Sequence, residues 1–202
     1  MWLRKFLAAI AAAEVTYLVA LNLALQLPVT QTLINQLRPD KFQVSWDRAW
    51  TWYPFRVHAT GISANGQTRT QQWQVDSPSA SASIAVLPLI AKRVWLSNVT
   101  ATDVSYRQRP RLKPDKDYRD LVPFFPEIEG RGIVPAETRP LKMKRPWRLA
   151  VDGIAASGQH RVWIMNFKGA ARGKLKADLQ YESRGGPFSL GNGEFDLTLD
   201  TM

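Results

Sequence analysis

Residues 174–182 read Lys-Leu-Lys-Ala-Asp-Leu-Gln-Tyr-Glu. Leu175, Ala177, Leu179 and Tyr181 take every second position, and Lys174, Lys176, Asp178, Gln180 and Glu182 fill the gaps. A period of two means a strand with one apolar and one polar face. The pattern recurs outward in both directions. Downstream, Phe195, Leu197 and Leu199 alternate with Glu194, Asp196, Thr198 and Asp200. Upstream, Trp147, Leu149 and Val151 alternate with Arg148 and Asp152, while Ala80, Ala82, Ile84 and Val86 alternate with Ser79, Ser81 and Ser83. Trp73 and Val75 stand between Gln72, Gln74 and Asp76, and Phe42, Val44 and Trp46 between Gln43, Ser45 and Asp47. Turn signals at Asn65-Gly66, Asp152-Gly153, Ser157-Gly158, Gly185-Gly186-Pro187 and Asn192-Gly193 separate the runs. The sequence therefore predicts a mainly β chain: an antiparallel, curved meander of hairpins, forming a groove or half-barrel.

A sheet with one apolar face must cover that face. No amphipathic helix follows residue 40, and the short 87–91 piece is too small to serve. Either the sheet closes on itself or its apolar side forms a trough for something apolar. The candidate lining residues are Ala80, Ala82, Ile84, Val86, Leu175, Leu179, Tyr181, Phe195, Leu197 and Leu199.

The chain opens Met1-Trp2-Leu3-Arg4-Lys5 and then runs apolar over residues 6–27. As a helix that run spans roughly 33 Å at about 1.5 Å per residue, enough for a bilayer core. Arg4 and Lys5 precede it, and the next basic residue is Arg38. The positive-inside rule places the N-terminus in the cytoplasm and the body across the membrane. A cleaved signal peptide is the competing reading, with residues 6–13 as its apolar core. The apolar pattern resumes past Glu14 through Leu18, Val19, Leu21, Leu23 and Leu25, which favours a retained anchor. Glu14 inside the run is a candidate for pairing with a partner helix within the bilayer, or it lies near the headgroups. Residues 29–37 space Val29, Leu33 and Leu37 by four, as in a short amphipathic helix at the interface.

The middle of the chain differs in composition. Residues 107–148 hold twelve basic and six acidic side chains, within a chain of net charge +10, and seven of its thirteen prolines. Proline at this density blocks helix and sheet interior alike. It reads as an irregular insertion, either a solvated loop or an arm facing headgroups or a partner, with Arg107, Arg109, Arg111 and Lys113 as headgroup candidates. The apolar knot at 121–126 within it suits a plug or a rim contact. The organisation expected is thus an anchor (1–28), an interfacial helix (29–39), a first β unit (40–107), the insertion (108–146) and a second β unit (147–202).

The chain has 202 residues, no cysteine and two histidines, His58 and His160. Thiol chemistry, disulfides and Cys-based metal sites are excluded. There is no Walker loop, nucleophile elbow or HExxH motif, so no catalytic residue, cofactor or metal is implied. The positive charge raises nucleic acid as a partner. Here, however, the aromatics alternate away from the charges rather than interleaving with them on one face.

The order of features also resembles a known family. After the anchor and short helix come Phe42-Gln-Val-Ser-Trp46, a stretch ending Tyr53-Pro-Phe-Arg-Val57, and Thr60-Gly-Ile62. A small-residue strand over 76–86 follows, then Leu87-Pro-Leu-Ile-Ala-Lys92, Val94-Trp-Leu-Ser-Asn-Val99 and Val104-Ser-Tyr-Arg107. This arrangement resembles the N-terminal unit of AsmA-like proteins, relatives of the bacterial bridge-like lipid-transfer group. It covers residues 1–106, with a restart at Trp147 that extends over 147–199. The aromatic run over 46–55 and the proline-rich insertion depart from it. The resemblance implies a single-pass inner-membrane anchor with a periplasmic β-groove, and a role in binding or transferring phospholipid or another acyl-chain lipid, or in supporting envelope assembly, without catalysis. The competing expectation is a bitopic accessory subunit of an envelope or secretion complex, docking through its β-body and membrane helix.

Overall fold

The computed structural model describes residues 2–37, 39, 41–53, 55–85, 87–112, 117–118, 120–132, 148–182 and 188–200. An N-terminal helix α1 (Trp2–Gln26) leads into α2 (Pro28–Leu37). Pro28 has no N–H to continue α1, and its fixed φ suits the first position of α2. The body is one nine-stranded sheet: β1 (Phe42–Ser45), β2 (Arg48–Tyr53), β3 (Arg56–Gln67), β4 (Gln71–Ala85), β5 (Arg93–Thr102), β6 (Ser105–Pro110), β7 (Arg148–Ile164), β8 (Phe167–Glu182) and β9 (Phe188–Leu199). A single helical turn, α3 (Leu87–Ile90), joins β4 to β5.

The chain is mainly β, as its periodicity predicts. The sheet is mixed, however, and not antiparallel throughout. β5 and β6 follow each other along β4, both antiparallel to it, and act as one long strand broken at Asp103 and Val104. β7 then runs parallel to both. A parallel neighbour cannot be reached by a tight turn, because the chain must first return to the starting end of the sheet. The stretch between Pro110 and Arg148 is that return. This gives the insertion a structural task that its composition does not reveal.

A line of irregular backbone crosses the sheet. Gly61 in β3 has φ +60°, Asp103 between β5 and β6 has φ +48°, and Gly158 in β7 has φ +102°. Gly158 stands opposite Gly173 of β8. The β1–β2 break at Trp46 and Asp47 falls on the same line, since the Asp47 N–H donates to the Thr60 carbonyl at 2.9 Å. Left-handed residues and bulges interrupt strand alternation and re-aim side chains. The apolar phase changes at this line. In β3 it passes from Val57 and Ala59 to Ile62 and Ala64, and in β4 from Trp73 and Val75 to Ala80, Ala82 and Ile84.

The two sheet edges are finished differently. At the β1–β2 edge, helix side chains take the place of a neighbouring strand. The Asn22 amide accepts from the Thr51 N–H at 2.9 Å and donates to its carbonyl at 2.9 Å. Asn35 does the same at Val44, at 2.8 and 2.9 Å. Gln31 donates to the Trp46 carbonyl, and the Trp46 indole donates to Leu25 O. Asn22 and Asn35 each satisfy one backbone donor and one acceptor that would otherwise face outward, and Gln31 one acceptor. At the other edge, β9 pairs with β8 on one side and, among the described residues, with nothing on the other.

Candidate functional site

Strand register places the lining candidates side by side. Ala49, Ala59, Ala80, Ala101, Ala156, Leu175 and Phe195 are successive partners across seven strands. One step toward the α3 end, Ala82 stands opposite Val57. Further on, Ile84, Leu96, Val151, Leu179 and Leu190 form another unbroken row. Beside it lie Val94, Leu149 and Tyr181. Directly paired residues share a face, so these rows make a continuous apolar surface. The alternate positions are mostly polar: Ser81, Thr100, Lys176 and Glu194, interrupted by Ala155, form one such row, and Ser79, Thr102, Ser157, Lys174 and Asp196 another.

The described helices make no extensive contact with β3, β4, β7, β8 or β9, which carry most of the apolar rows. The helices contact β1, β2 and β5. From β2 as far as β7 the floor of the first row is small and sheltered, with Ala49, Ala59 and Ala156 buried. Toward the open edge it becomes large and bare, with Leu190 64% and Phe195 67% exposed. Burial pushes the Tyr181 phenol above its usual pKa, in line with a ring lying among apolar neighbours.

Not every candidate falls in these rows. Leu197 stands opposite Gly173 on the irregular line, and Leu199 opposite Ala171 beyond it. Val86 and Lys113 lie outside the described residues. Val151, which the alternation at 147–152 marks, joins the surface, and so do Ala59, Ala101, Ala156 and Leu96, which no periodicity singles out. Ala101 and Ala156 alternate with Thr and Ser, and that contrast is too weak to mark a face.

The headgroup candidates are engaged within the fold. Arg109 is 3% exposed and donates to the Gln72 side chain and to the carbonyls of Pro126 and Arg131. Arg111 is buried and donates to Thr68 O. Arg107 forms an ion pair with Asp76 at 2.6 Å and also donates to Glu127 O. These arginines hold the insertion against the sheet. Residues 121–132 make a 3-10 turn at Val122–Phe124 and then bury Phe125, Pro126 and Ile128. Beneath them Gln72 and Gln74, which the alternation assigns to a solvent face, are only 1% exposed. Gln72 donates to Gly132 O, and the Gln74 carbonyl oxygen accepts from the Glu129 N–H. The described part of the insertion is therefore a docked cover and not a solvated loop.

Glu14 lines a shallow apolar recess with Ile10, Ala13, Tyr17 and Phe55. Among the described residues it has no ion-pair partner. His58 stacks on Trp50, and His160 Nδ1 accepts from the Val104 N–H. Among the described residues no cluster of acidic and histidine side chains could hold a metal ion.

The fold defines a class: a one-sided β-sheet carried by an N-terminal helix that is long and apolar enough to cross a membrane. Comparison of the chain with protein-family models, curated proteins and solved structures gives no match.

Proposed function

We propose that this protein is a single-pass, membrane-anchored β-groove protein that holds or passes acyl-chain lipid on the far side of the bacterial inner membrane, as the resemblance to AsmA-like proteins implies. The observation that carries this reading is the set of paired apolar rows, which run from β2 to β9 and become large and exposed toward Leu190 and Phe195. Exposed apolar area of that extent is stabilised by an apolar occupant at roughly 25 cal/mol per Å2 covered, without directional chemistry. The polar rows on the opposite face fit a sheet that takes lipid on one side only. A photo-crosslinking side chain at Leu179 or Ile84 is expected to yield phospholipid adducts in membranes. Adducts only from Lys176, on the opposite face, refute the assignment. Native mass spectrometry of detergent-extracted protein is expected to retain phospholipid.

A second reading has its own support in the edge of β9 and in Glu14, each without a partner among the described residues. Under it the protein is an accessory subunit of an envelope complex, joined through the open edge and within the bilayer. Loss of a complex on Glu14→Ala, with lipid adducts at Leu179 unchanged, favours that reading.

A further inference from the structure

The helix and the sheet are in fixed register along the α1 axis. The Trp46 indole meets Leu25, Thr51 meets Asn22, and the Phe55 ring lies 6.0 Å from that of Tyr17. The β2–β3 hairpin therefore runs back along α1 toward its N-terminus. Tyr17 lies nine residues from Gln26, about 14 Å along the axis. A hydrocarbon core is about 30 Å thick. A helix that crosses it thus carries the hairpin tip down into the leaflet on the body's side.

The tip is built for that medium. Residues 49–55, Ala-Trp-Thr-Trp-Tyr-Pro-Phe, carry no charge. Trp52 is 79% exposed, with Tyr53 and Phe55 beside it. At the same end of the sheet, α3 presents Leu87 and Ile90 at 81% and 86% exposure. In hydrocarbon, backbone groups must be satisfied within the protein. Here Asn22 takes both polar groups of Thr51, and the Thr51 hydroxyl lies 2.6 Å from the carbonyls of both Tyr53 and Arg56. The Ile84 N–H donates to Phe55 O at 2.8 Å. Lys92, Arg93 and Arg148 follow just past α3 and at the foot of β5 and β7, where long basic side chains reach phosphates.

We infer that this end of the sheet, led by Trp52, Phe55, Leu87 and Ile90, is embedded in the same bilayer that α1 spans. The protein then has a second, non-helical membrane contact, and its apolar rows start within lipid. The inference rests on α1 spanning and not on the rows binding lipid.

The chain has no cysteine, so single-cysteine variants of the full chain report cleanly. Trp52→Cys and Leu87→Cys, labelled with an environment-sensitive fluorophore, are compared with Ile10→Cys in the span and Lys174→Cys on the body. All are reconstituted in vesicles of phosphatidylethanolamine and phosphatidylglycerol. The labels at 52, 87 and 10 are expected to lose most of their emission to acyl-chain spin-labelled lipid and little to aqueous iodide, and the label at 174 the reverse. If 10 is quenched by lipid while 52 and 87 respond to iodide like 174, the inference is overturned. Labels at 52 and 87 shielded from both quenchers indicate a protein partner and overturn it equally. If 10 itself answers to iodide, the span reading falls, and this inference with it. Adducts at Leu179 are scored separately, so the groove reading stands or fails by its own measurement.

Discussion

Single residues carry much of the shape. Gly61 holds φ +60°, and a Cβ there would collide with the Asp47 carboxylate. Gly61→Ala is expected to cost about 1–3 kcal/mol, through both the left-handed strain and the displaced carboxylate, as read from denaturant unfolding. A neutral outcome would mean that the irregular line is not constrained by its glycine. Asp76 offers a pH test. Burial opposes its ionisation, but hydrogen bonds from Arg107, Gln74 and Ser63 outweigh that and hold its carboxyl below the usual 3.8. A depressed folded-state pKa stabilises the protein above the unfolded value, and that contribution is lost as pH falls through the folded value. The difference in thermal midpoint between the protein and Asp76→Asn is thus expected to be full near neutrality. It should shrink only below the ordinary carboxylate range, and a constant gap down to strong acid contradicts the ion pair's role.

Elements show which physics is local and which is not. The helix amides at Asn22 and Asn35 stand in for a missing strand. Asn22→Ala strips two backbone partners from Thr51 at about 1–3 kcal/mol per orphaned group. Hydrogen exchange at the Thr51 amide is expected to rise with it, while β8 amides stay unchanged. The strands themselves are legible in the sequence, because a one-sided sheet writes a period of two wherever its apolar side chains are large, as at Leu175 and Leu179. The Ala rows are not legible, since Ala beside Ser or Thr has little contrast. Nor does Gln72-Trp73-Gln74 disclose that its glutamines are the buried side. That burial depends on Phe125, Pro126 and Ile128 docking from some fifty residues away, with Arg109 donating to the carbonyls of Pro126 and Arg131. The parallel seat of β7 escapes the sequence for the same reason, because turn signals report hairpins and a crossover leaves none.

At the scale of the whole molecule, large apolar side chains sit where no protein interior needs them. Leu190 and Phe195 are mostly exposed, so replacing both by serine is expected to leave stability within about 1 kcal/mol, near the usual range for surface changes. The same pair of changes should reduce the phospholipid that remains bound in native mass spectrometry. Unfolding of the double variant would instead make these residues part of the protein's own core. The parallel ladder between β5 and β7 also orders events in time. A ribosome working at roughly 5–20 residues per second completes β6 several seconds before it finishes β7. Through that interval the half-built sheet presents a long bare flank of backbone donors and acceptors, the kind of surface that recruits stray strands. Quality-control factors that guard nascent chains would find their most urgent work on this protein in that brief window.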